Sequence, residues 1–516
     1  MQSFTSVAAL RCYLNSQLSA GERSLALVPT MGALHAGHLS LIQRARLENT
    51  VVVVSIFVNP LQFGPAEDFQ QYPRTWDRDR LFCESAGVDV IFAPSAAELG
   101  IRNNANESGD LTTVIPPIAM TSVLCGKSRP GHFQGVATIV TKLLNIVKPD
   151  FAYFGIKDAQ QVAIIRRLVA DLNLSVKIVA CAIAREDSGL AWSSRNQYLS
   201  SEQKVKAATI YRSLQRAEQV FQDGNYTSTA LKAAVNQELA TESTIEIEYV
   251  EIVDPHTLKT LEIVEESGLL AIAVKIGSTR LIDNIILLNR QPIVAIDGPA
   301  GAGKSTVTKQ VAQILGLMYL DTGAMYRAVT WLVLNTETSL DNEPAIAELV
   351  STCNIEFNFH PTAFNLKINN EDVTDAIRSL EVTNHVSAVA ALPVVRHFMV
   401  QQQQRYGSKG GIVAEGRDIG TNVFPDAEVK IFLTASVKER SRRRFIELQN
   451  RGQHDISLEQ LEIDIALRDE KDSNRTIAPL RKATDAIEIQ TDGLTVTEVT
   501  ERIVNLYQQK NITKNR

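Results

Sequence analysis

The sequence predicts an α/β fold in more than one domain, and three observations carry that prediction. Apolar runs rich in β-branched residues alternate with helical patterns in both halves. At 516 residues the chain is too long for a single hydrophobic core. A glycine-rich turn, Gly298–Ser305, stands between an apolar run and a helical pattern.

In order along the chain, Leu25–Pro29 reads as a buried strand, followed by a helix from about His38 and by the strand Val51–Val58. Val88–Phe92, Phe151–Phe154 and Val176–Ile183 continue the series. Continuous apolar strands separated by helices imply a parallel sheet covered on both faces, whose ligands sit at the carboxyl ends of the strands. After Ser200 the pattern changes to a long helix, Glu202–Gln222, and strands near Ile245–Val253 and Leu269–Ile276, which predicts a smaller α+β lobe. A second alternating series opens at Pro292–Asp297 and closes with an amphipathic helix near Val496–Gln508. A boundary between Asn284 and Gln291 gives domains 1–287 (lobes about 1–196 and 197–287) and 288–516.

Hydrophobic residues at 45% and charged residues at 21% are ordinary for a soluble globular protein. A net charge of −6 argues against general affinity for nucleic acid or anionic membranes. The five cysteines (Cys12, Cys83, Cys125, Cys181, Cys353) are scattered and form no CxxC pair, against a disulfide framework or a structural zinc site. The start of the chain lacks the pattern of a signal peptide, and no apolar run approaches the ~20 residues that span a bilayer. The expected location is the cytoplasm.

Two places carry chemistry. In the first half, Pro29–His38 joins a buried strand to a helix and contains His35 and His38 separated by Ala36 and Gly37. Imidazoles and backbone donors at a helix start suit a phosphate. Lys157 and Asp158 follow a strand end, where a point charge can meet phosphates and a carboxylate can hold Mg2+. Ser193, Ser194 and Arg195 add hydroxyls and a guanidinium fork. In the second half, Gly298–Ser305 satisfies GxxxxGK[ST]; its backbone can cradle phosphates, Lys304 reach them, and Ser305 meet Mg2+. Arginines gather in Glu439–Arg444 and recur at Arg468 and Arg475, an arrangement suited to phosphoryl transfer.

PTMGALHAGH, SIFVNPLQF, YPRT, SRPGHFQGVATIV, FGIKDAQQ and SSRN, in this order, resemble the pantothenate synthetases, HxGH nucleotidyltransferases of Rossmann-like fold. The resemblance spans about Leu25 to Asn284. It implies that ATP adenylates pantoate, and that the amine of β-alanine then displaces AMP to give pantothenate. It also implies that Met31, Gly32, Ala33, Leu34, His35, Ala36, Gly37 and His38 bind ATP, with His38 the proton donor and His35 its catalytic partner. Gly155, Ile156, Lys157, Asp158, Ala184, Trp192, Ser193, Ser194 and Arg195 would complete the ATP site, with Asp158 near Mg2+. Gln62 and Gln161 would hydrogen-bond pantoate, while Arg129 and His132 would organise a closing loop. Trp192 stands where this family usually has a smaller aliphatic residue.

IDGPAGAGKST, LDTGAMYR, AEGRDIGT, PDAEVKIFL and RDEKDSNRTIAPL resemble the bacterial-type cytidylate kinases, P-loop nucleoside monophosphate kinases, over nearly all of Pro292 to Arg516. The implied reaction is phosphorylation of CMP or dCMP by ATP. Gly298, Ala300, Gly301, Ala302, Gly303, Lys304, Ser305 and Thr306 would hold ATP, with Arg442–Arg444 on a closing lid. Thr322, Arg327, Ser387, Arg396, Arg417, Asp418, Arg468 and Arg475 would surround CMP, and Phe357–Val373 would form a small extra CMP-binding domain. Thr322 replaces the commoner serine and keeps its hydroxyl. The implied partners are small molecules, with a homo-oligomer through the first half. Two rival readings stay open. The first half could adenylate another small acid or transfer a nucleotide onto a phosphate, and the neutral Gln62 and Gln161 argue against a phosphate-bearing acceptor; or one half could be an ATP-sensing regulator, against which the intact His35, His38, Lys157, Lys304 and Asp418 argue.

Overall fold

The computed structural model describes residues 1–18, 24–64, 69–101, 111–360, 363–450, 457–475 and 478–514. They form two compact units, Met1–Asn289 and Arg290–Arg516.

The first unit is built on a six-stranded parallel sheet of β1 (Gln2–Phe4), β2 (Leu25–Thr30), β3 (Val51–Ile56), β4 (Val90–Phe92), β5 (Phe151–Gly155) and β6 (Lys177–Cys181), in the order β1-β4-β3-β2-β5-β6. LALVPT and VVVVSI pair in register from Leu25 with Val51 to Thr30 with Ile56. Almost every side chain of both strands is buried, because helices cover the two faces. The expected strands are present, shortened at their ends. β1 has no counterpart in the sequence reading, since three residues at a sheet edge give no period to detect.

A smaller antiparallel sheet follows, β7 (Ile245–Val253), β8 (Ser267–Ile276) and β9 (Thr279–Leu288), with helices Ser201–Gln222 and Ser228–Leu239 sharing its core through Leu214, Leu231 and Ile272. Ser200 and Gln203 cap the first helix reciprocally, fixing where it begins. The sequence reading missed β9. It is joined to β8 by the two-residue turn Gly277-Ser278, with Gly277 at φ +59°, and Ile276 opposite Thr279.

The second unit centres on a five-stranded parallel sheet. Its strands are β10 (Val294–Asp297), β11 (Met318–Asp321), β15 (Ile412–Gly416), β16 (Val429–Thr434) and β17 (Ile487–Gln490), ordered β11-β15-β10-β16-β17. Between β11 and β15 lies a three-stranded antiparallel sheet, β12 (Ile355–His360), β13 (Ala363–Ile368) and β14 (Glu371–Asp372). It occupies the stretch expected to form the extra domain; residues 361 and 362 lie outside the described ones. Leu366 and Ile368 are buried in one core with Leu320 and Val329, so this insertion is anchored to the main sheet's covering helix. Asp297 pairs with Gly416 across β10 and β15, which brings the P-loop and the GRDIG segment side by side at the carboxyl edge. Among the described residues no helix is long and apolar enough to cross a membrane.

Candidate active sites

In the first unit, His35 caps the helix Ala36–Glu48: its Nδ1 accepts the N–H of Gly37 at 3.1 Å, and His38 Nδ1 accepts the N–H of His35 at 3.4 Å. A neutral imidazole that accepts at Nδ1 carries its proton at Nε2. Each ring thus keeps an Nε2–H donor, and the two rings lie 4.1 Å apart. Burial, with Lys157 next, lowers the pKa of His35 to about 4; burial, with His35 next, lowers that of His38 to about 3. Both are neutral at pH 7. His38, the proton donor that the resemblance implies, lies here beside His35 with its Nε2–H unengaged by the two bonds that hold the pair.

The loop before this helix is fixed from behind. Gly32 has φ +80°, and a Cβ there would lie 3.0 Å from an oxygen of Asp79, so only glycine fits without strain. The buried Asp79 accepts the N–H of Ala33 at 2.9 Å and of Leu34 at 2.8 Å, and Thr75 Oγ1 donates to it at 3.1 Å. Gly32, Ala33 and Leu34 therefore serve as frame, and Leu34 joins the sheet core.

The cavity beside them encloses about 280 Å³ and is lined by Met31, His35, Gly37, His38, Gln62, Gly155, Lys157, Asp158, Gln161, Ala184 and Trp192–Arg195. Residues from five separated segments converge there, as the sequence suggests they would. Trp192 stacks near His35 at 6.3 Å and 19°, and its backbone N–H donates to Ala184 O at 3.0 Å. Gln62 Nε2 contacts Met31 Sδ at 2.8 Å. Arg129 Nη2 donates to the Gln62 carbonyl at 3.3 Å, and His132 Nδ1 meets it at 2.7 Å, so these two hold the segment that presents Gln62. β9 also reaches the cavity, through Arg280, Asp283 and Asn284.

In the second unit Gly298 has φ +149°, and a Cβ would fall 2.0 Å from Leu433 O, so glycine is obligatory there. Lys304 begins the helix Lys304–Leu315 and donates from Nζ to the carbonyls of Gly298 and Pro299, each at 2.7 Å. Ser305 Oγ donates to Glu415 Oε2 at 2.9 Å. Asp297, buried, accepts the N–H groups of Ile419 and Gly420, each at 2.7 Å, clamping GRDIG against the P-loop strand. Burial raises its pKa to about 6, against the pull of those two bonds.

Arg417 Nε donates to Asp472 at 2.9 Å, and Arg475 pairs with the same carboxylate. Arg396 Nη2 donates to Asp418 at 2.7 Å, while its buried Nε has no partner among the described residues. Burial and then Arg417 depress the guanidinium of Arg468, which also feels Arg475 and Arg327. Several cations around few carboxylates favour an incoming anion. Thr322 Oγ1 donates to Glu415 O at 2.6 Å. Ser387 is exposed on the helix Leu380–Val389 and takes no part in this hydrogen-bond network among the described residues. Thr476 and Ile477 of the RDEKDSNRTIAPL motif lie outside the described residues.

The arginine run divides between two environments. Arg440 is buried against the P-loop, donating to Ala300 O at 3.1 Å and pairing with Asp469, and Arg443 donates to Thr491 at 2.8 Å. Arg442 pairs with Glu439 and Arg444 with Glu447, both on the solvent side with 58% and 43% of the side chain exposed. Arg440 and Arg443, three apart, share a helix face and turn inward here, whereas Arg442 and Arg444 are held outward by their ion pairs with Glu439 and Glu447.

Two family models match, pantoate-β-alanine ligase over residues 2–286 and cytidylate kinase over 294–509. The chain is 60% identical to the bifunctional pantoate ligase/cytidylate kinase of Trichormus variabilis, over 99% of each chain. It is likewise 60% identical to the protein of that name from Trichodesmium erythraeum, over 98% of each. The chain belongs to the bifunctional pantoate ligase/cytidylate kinase family. A crystal structure of pantothenate synthetase from Thermus thermophilus aligns with 55% of the chain and 99% of its own length, at 41% identity and TM-score 0.51.

Enzymes of both component families generally use Mg2+. In the ligase half the exposed carboxylate of Asp158 lines the cavity. In the kinase half the Ser305 hydroxyl lies on the Glu415 carboxylate. Among the described residues no cluster of three or more His, Cys, Asp or Glu forms a metal cage. Hard oxygen donors in ones and twos, beside a phosphate site, fit Mg2+, which keeps its waters and leans on substrate phosphates. The sequence reading of the kinase half gave no role to Asp297, Glu415 and Asp472; that of the ligase half missed Asp79, Asp283 and Asn284. Each is a polar side chain that acts at long sequence distance.

Proposed function

We propose that the ligase half, about residues 1–287, joins pantoate to β-alanine through a pantoyl adenylate, and that the kinase half, about 288–516, phosphorylates CMP or dCMP, both in the cytoplasm. The observation that carries this reading is the convergence of His35, His38, Lys157 and Ser193–Arg195 on one cavity that Gln62 and Gln161 also line. Adenylation builds charge on the α-phosphorus and the departing pyrophosphate, which calls for preset donors and cations, not a protein nucleophile. The Nε2–H groups of His35 and His38 supply donors without the repulsion that two adjacent imidazoliums would create. Lys157 and Arg195 supply charge, Ser193 and Ser194 hydroxyls, and the Gln62 and Gln161 amides read the pantoate carboxylate and hydroxyls. With Asp158 as its protein donor, Mg2+ would neutralise the phosphate chain.

In the kinase half the backbone of Gly298–Thr306 would wrap the ATP phosphates, Lys304 would exchange its carbonyl partners for phosphate oxygens, and Ser305 with Glu415 would hold Mg2+. Arg417, Arg468 and Arg475 would take the α-phosphate of CMP. Asp418, oriented by Arg396 and Asn422, would accept hydrogen bonds from the nucleoside. Arg440 and Arg443 support the reading of an arginine-lined P-loop better than Arg442 and Arg444 do.

The test is to supply the full chain with ATP and Mg2+, adding pantoate and β-alanine in one reaction and CMP in another. AMP, pyrophosphate and pantothenate in the first, with CDP and ADP in the second, are expected. His38→Ala should silence only the first reaction and Lys304→Ala only the second. ATP binding without acceptor-dependent product in either would overturn the reading for that half.

A further inference from the structure

We infer that Asn284, on β9 of the smaller lobe, is the positioning residue that sets where Lys157 stands in the ligase site. Asn284 is 3% exposed, and its Nδ2 donates to the carbonyl of Ile156 at 2.8 Å and to that of Lys157 at 2.9 Å. One amide thus holds both peptide units of the turn that leaves β5 and carries Lys157. Oδ1 of Asn284 has no partner among the described residues, so the two donor bonds alone fix which way the amide faces.

The anchor itself is rigid. β9 pairs with β8 along its whole length, and the backbone N–H of Asn284 bonds the carboxylate of Asp283 at 2.8 Å. That carboxylate is gripped by Arg185 through two bonds of 2.6 and 3.0 Å, and Arg185 packs 3.7 Å over the ring of Tyr211. Arg185 adjoins Ala184, whose carbonyl receives the N–H of Trp192 on the other wall of the cavity. Two adjacent residues of one strand therefore hold both segments that flank the cavity. A lysine side chain has several freely rotating bonds, so its ammonium finds a phosphate reproducibly only if its backbone is held. Removing the amide leaves two carbonyls without their donor and frees the turn to shift, and a shift near 1 Å costs about a hundredfold in rate.

This inference rests on Lys157 gripping ATP, and the experiment separates the two. In the full chain, initial rates of pantothenate formation are measured against ATP and against pantoate for wild type, Asn284→Ala, Asn284→Ser, Lys157→Ala and the Lys157→Ala/Asn284→Ala pair. CMP phosphorylation by the same chains is the internal reference. Asn284→Ala should lower kcat/KM for ATP about ten- to a hundredfold, leaving the KM for pantoate and the kinase rate unchanged. Asn284→Ser, which retains one donor, should lose less. In the Lys157→Ala background the Asn284 change should add almost nothing, because it acts through that lysine. The inference is overturned if Asn284→Ala stays within about twofold of wild type, or if its effect is undiminished without the lysine. It is also overturned if ATP and pantoate terms fall together with the melting temperature, the mark of general loosening. A Lys157→Ala chain of normal activity would overturn the role of Lys157 instead.

Discussion

Arg396 and Asp418 form an ion pair, Nη2 to Oδ2 at 2.7 Å, with both side chains more than nine-tenths buried. Such a pair is weak evidence for stability, since desolvation offsets much of the attraction, but it fixes orientation. Asn422 Nδ2, at 2.8 Å from the same oxygen, completes the setting of Asp418.

Breaking that pair leaves a buried charge alone. Arg396→Ala should destabilise the kinase half by about 3–5 kcal/mol. A urea series followed by far-UV circular dichroism checks this, with surviving ligase turnover marking the other half. Arg396→Met/Asp418→Asn, which removes both charges, should recover most of the stability and none of the phosphorylation.

Asp79 predicts a loss of the opposite kind, large in rate and confined to the ligase. Asp79→Ala strands the N–H groups of Ala33 and Leu34, each worth about 1–3 kcal/mol when buried without an acceptor. Asp79→Asn keeps one acceptor and should fall between wild type and alanine. Pantothenate formation should drop sharply while CDP formation is untouched; a parallel fall in both would count against a local role.

The histidine pair makes the ligase half sensitive to acid. His35 and His38 have pKa values of about 4 and 3 in the folded protein, against 6.5 for an exposed imidazole. Below pH 6.5 the unfolded chain takes up protons that the folded site refuses, so stability falls as pH drops towards those values and is flat above 6.5. Thermal unfolding followed from pH 7 to 4.5 should show the ligase transition moving down; His35→Asn/His38→Gln should flatten that slope. Parallel slopes would rule out this linkage.

Asp297 sets an acid limit on the kinase half. Its folded pKa, about 6 against 3.8 unfolded, means the folded state binds the proton more tightly, so its contribution to stability is present at low pH and lost as pH rises through 6. Activity runs the other way: protonation replaces two charge-assisted bonds to Ile419 and Gly420 with weaker ones, beside Lys304 and Asp418. kcat/KM for CMP should decline below about pH 6, and Asp297→Asn should be slow without that inflection.

Both Rossmann-like and P-loop halves were legible because apolar strands and glycine-rich turns are local signals, and PTMGALHAGH or GPAGAGKS falls where strand becomes helix. Asp79, Asp297 and Asn284 were not, because their partners lie 46, 122 and 127 residues away; Asp79 and Asn284 stand in no motif, and Asp297 stands in IDGPAGAGKST without the motif naming its partner. β9 runs through the predicted domain boundary, although Gly277-Ser278 between apolar runs is a hairpin signal. The inward turn of Arg440 and Arg443 was not legible either, because the helical period groups Arg440 with Arg444 as readily as with Arg443.

Lys304 Nζ spans the carbonyls of Gly298 and Pro299 at 2.7 Å each. Any phosphate that recruits this ammonium must outbid two good acceptors that belong to the same loop, so occupancy is a contest with a fixed opponent. A triphosphate can compensate through many backbone N–H groups at once, whereas a lone orthophosphate has one group of oxygens to offer. A loop that binds phosphate against this competition would favour a triphosphate over a lone orthophosphate.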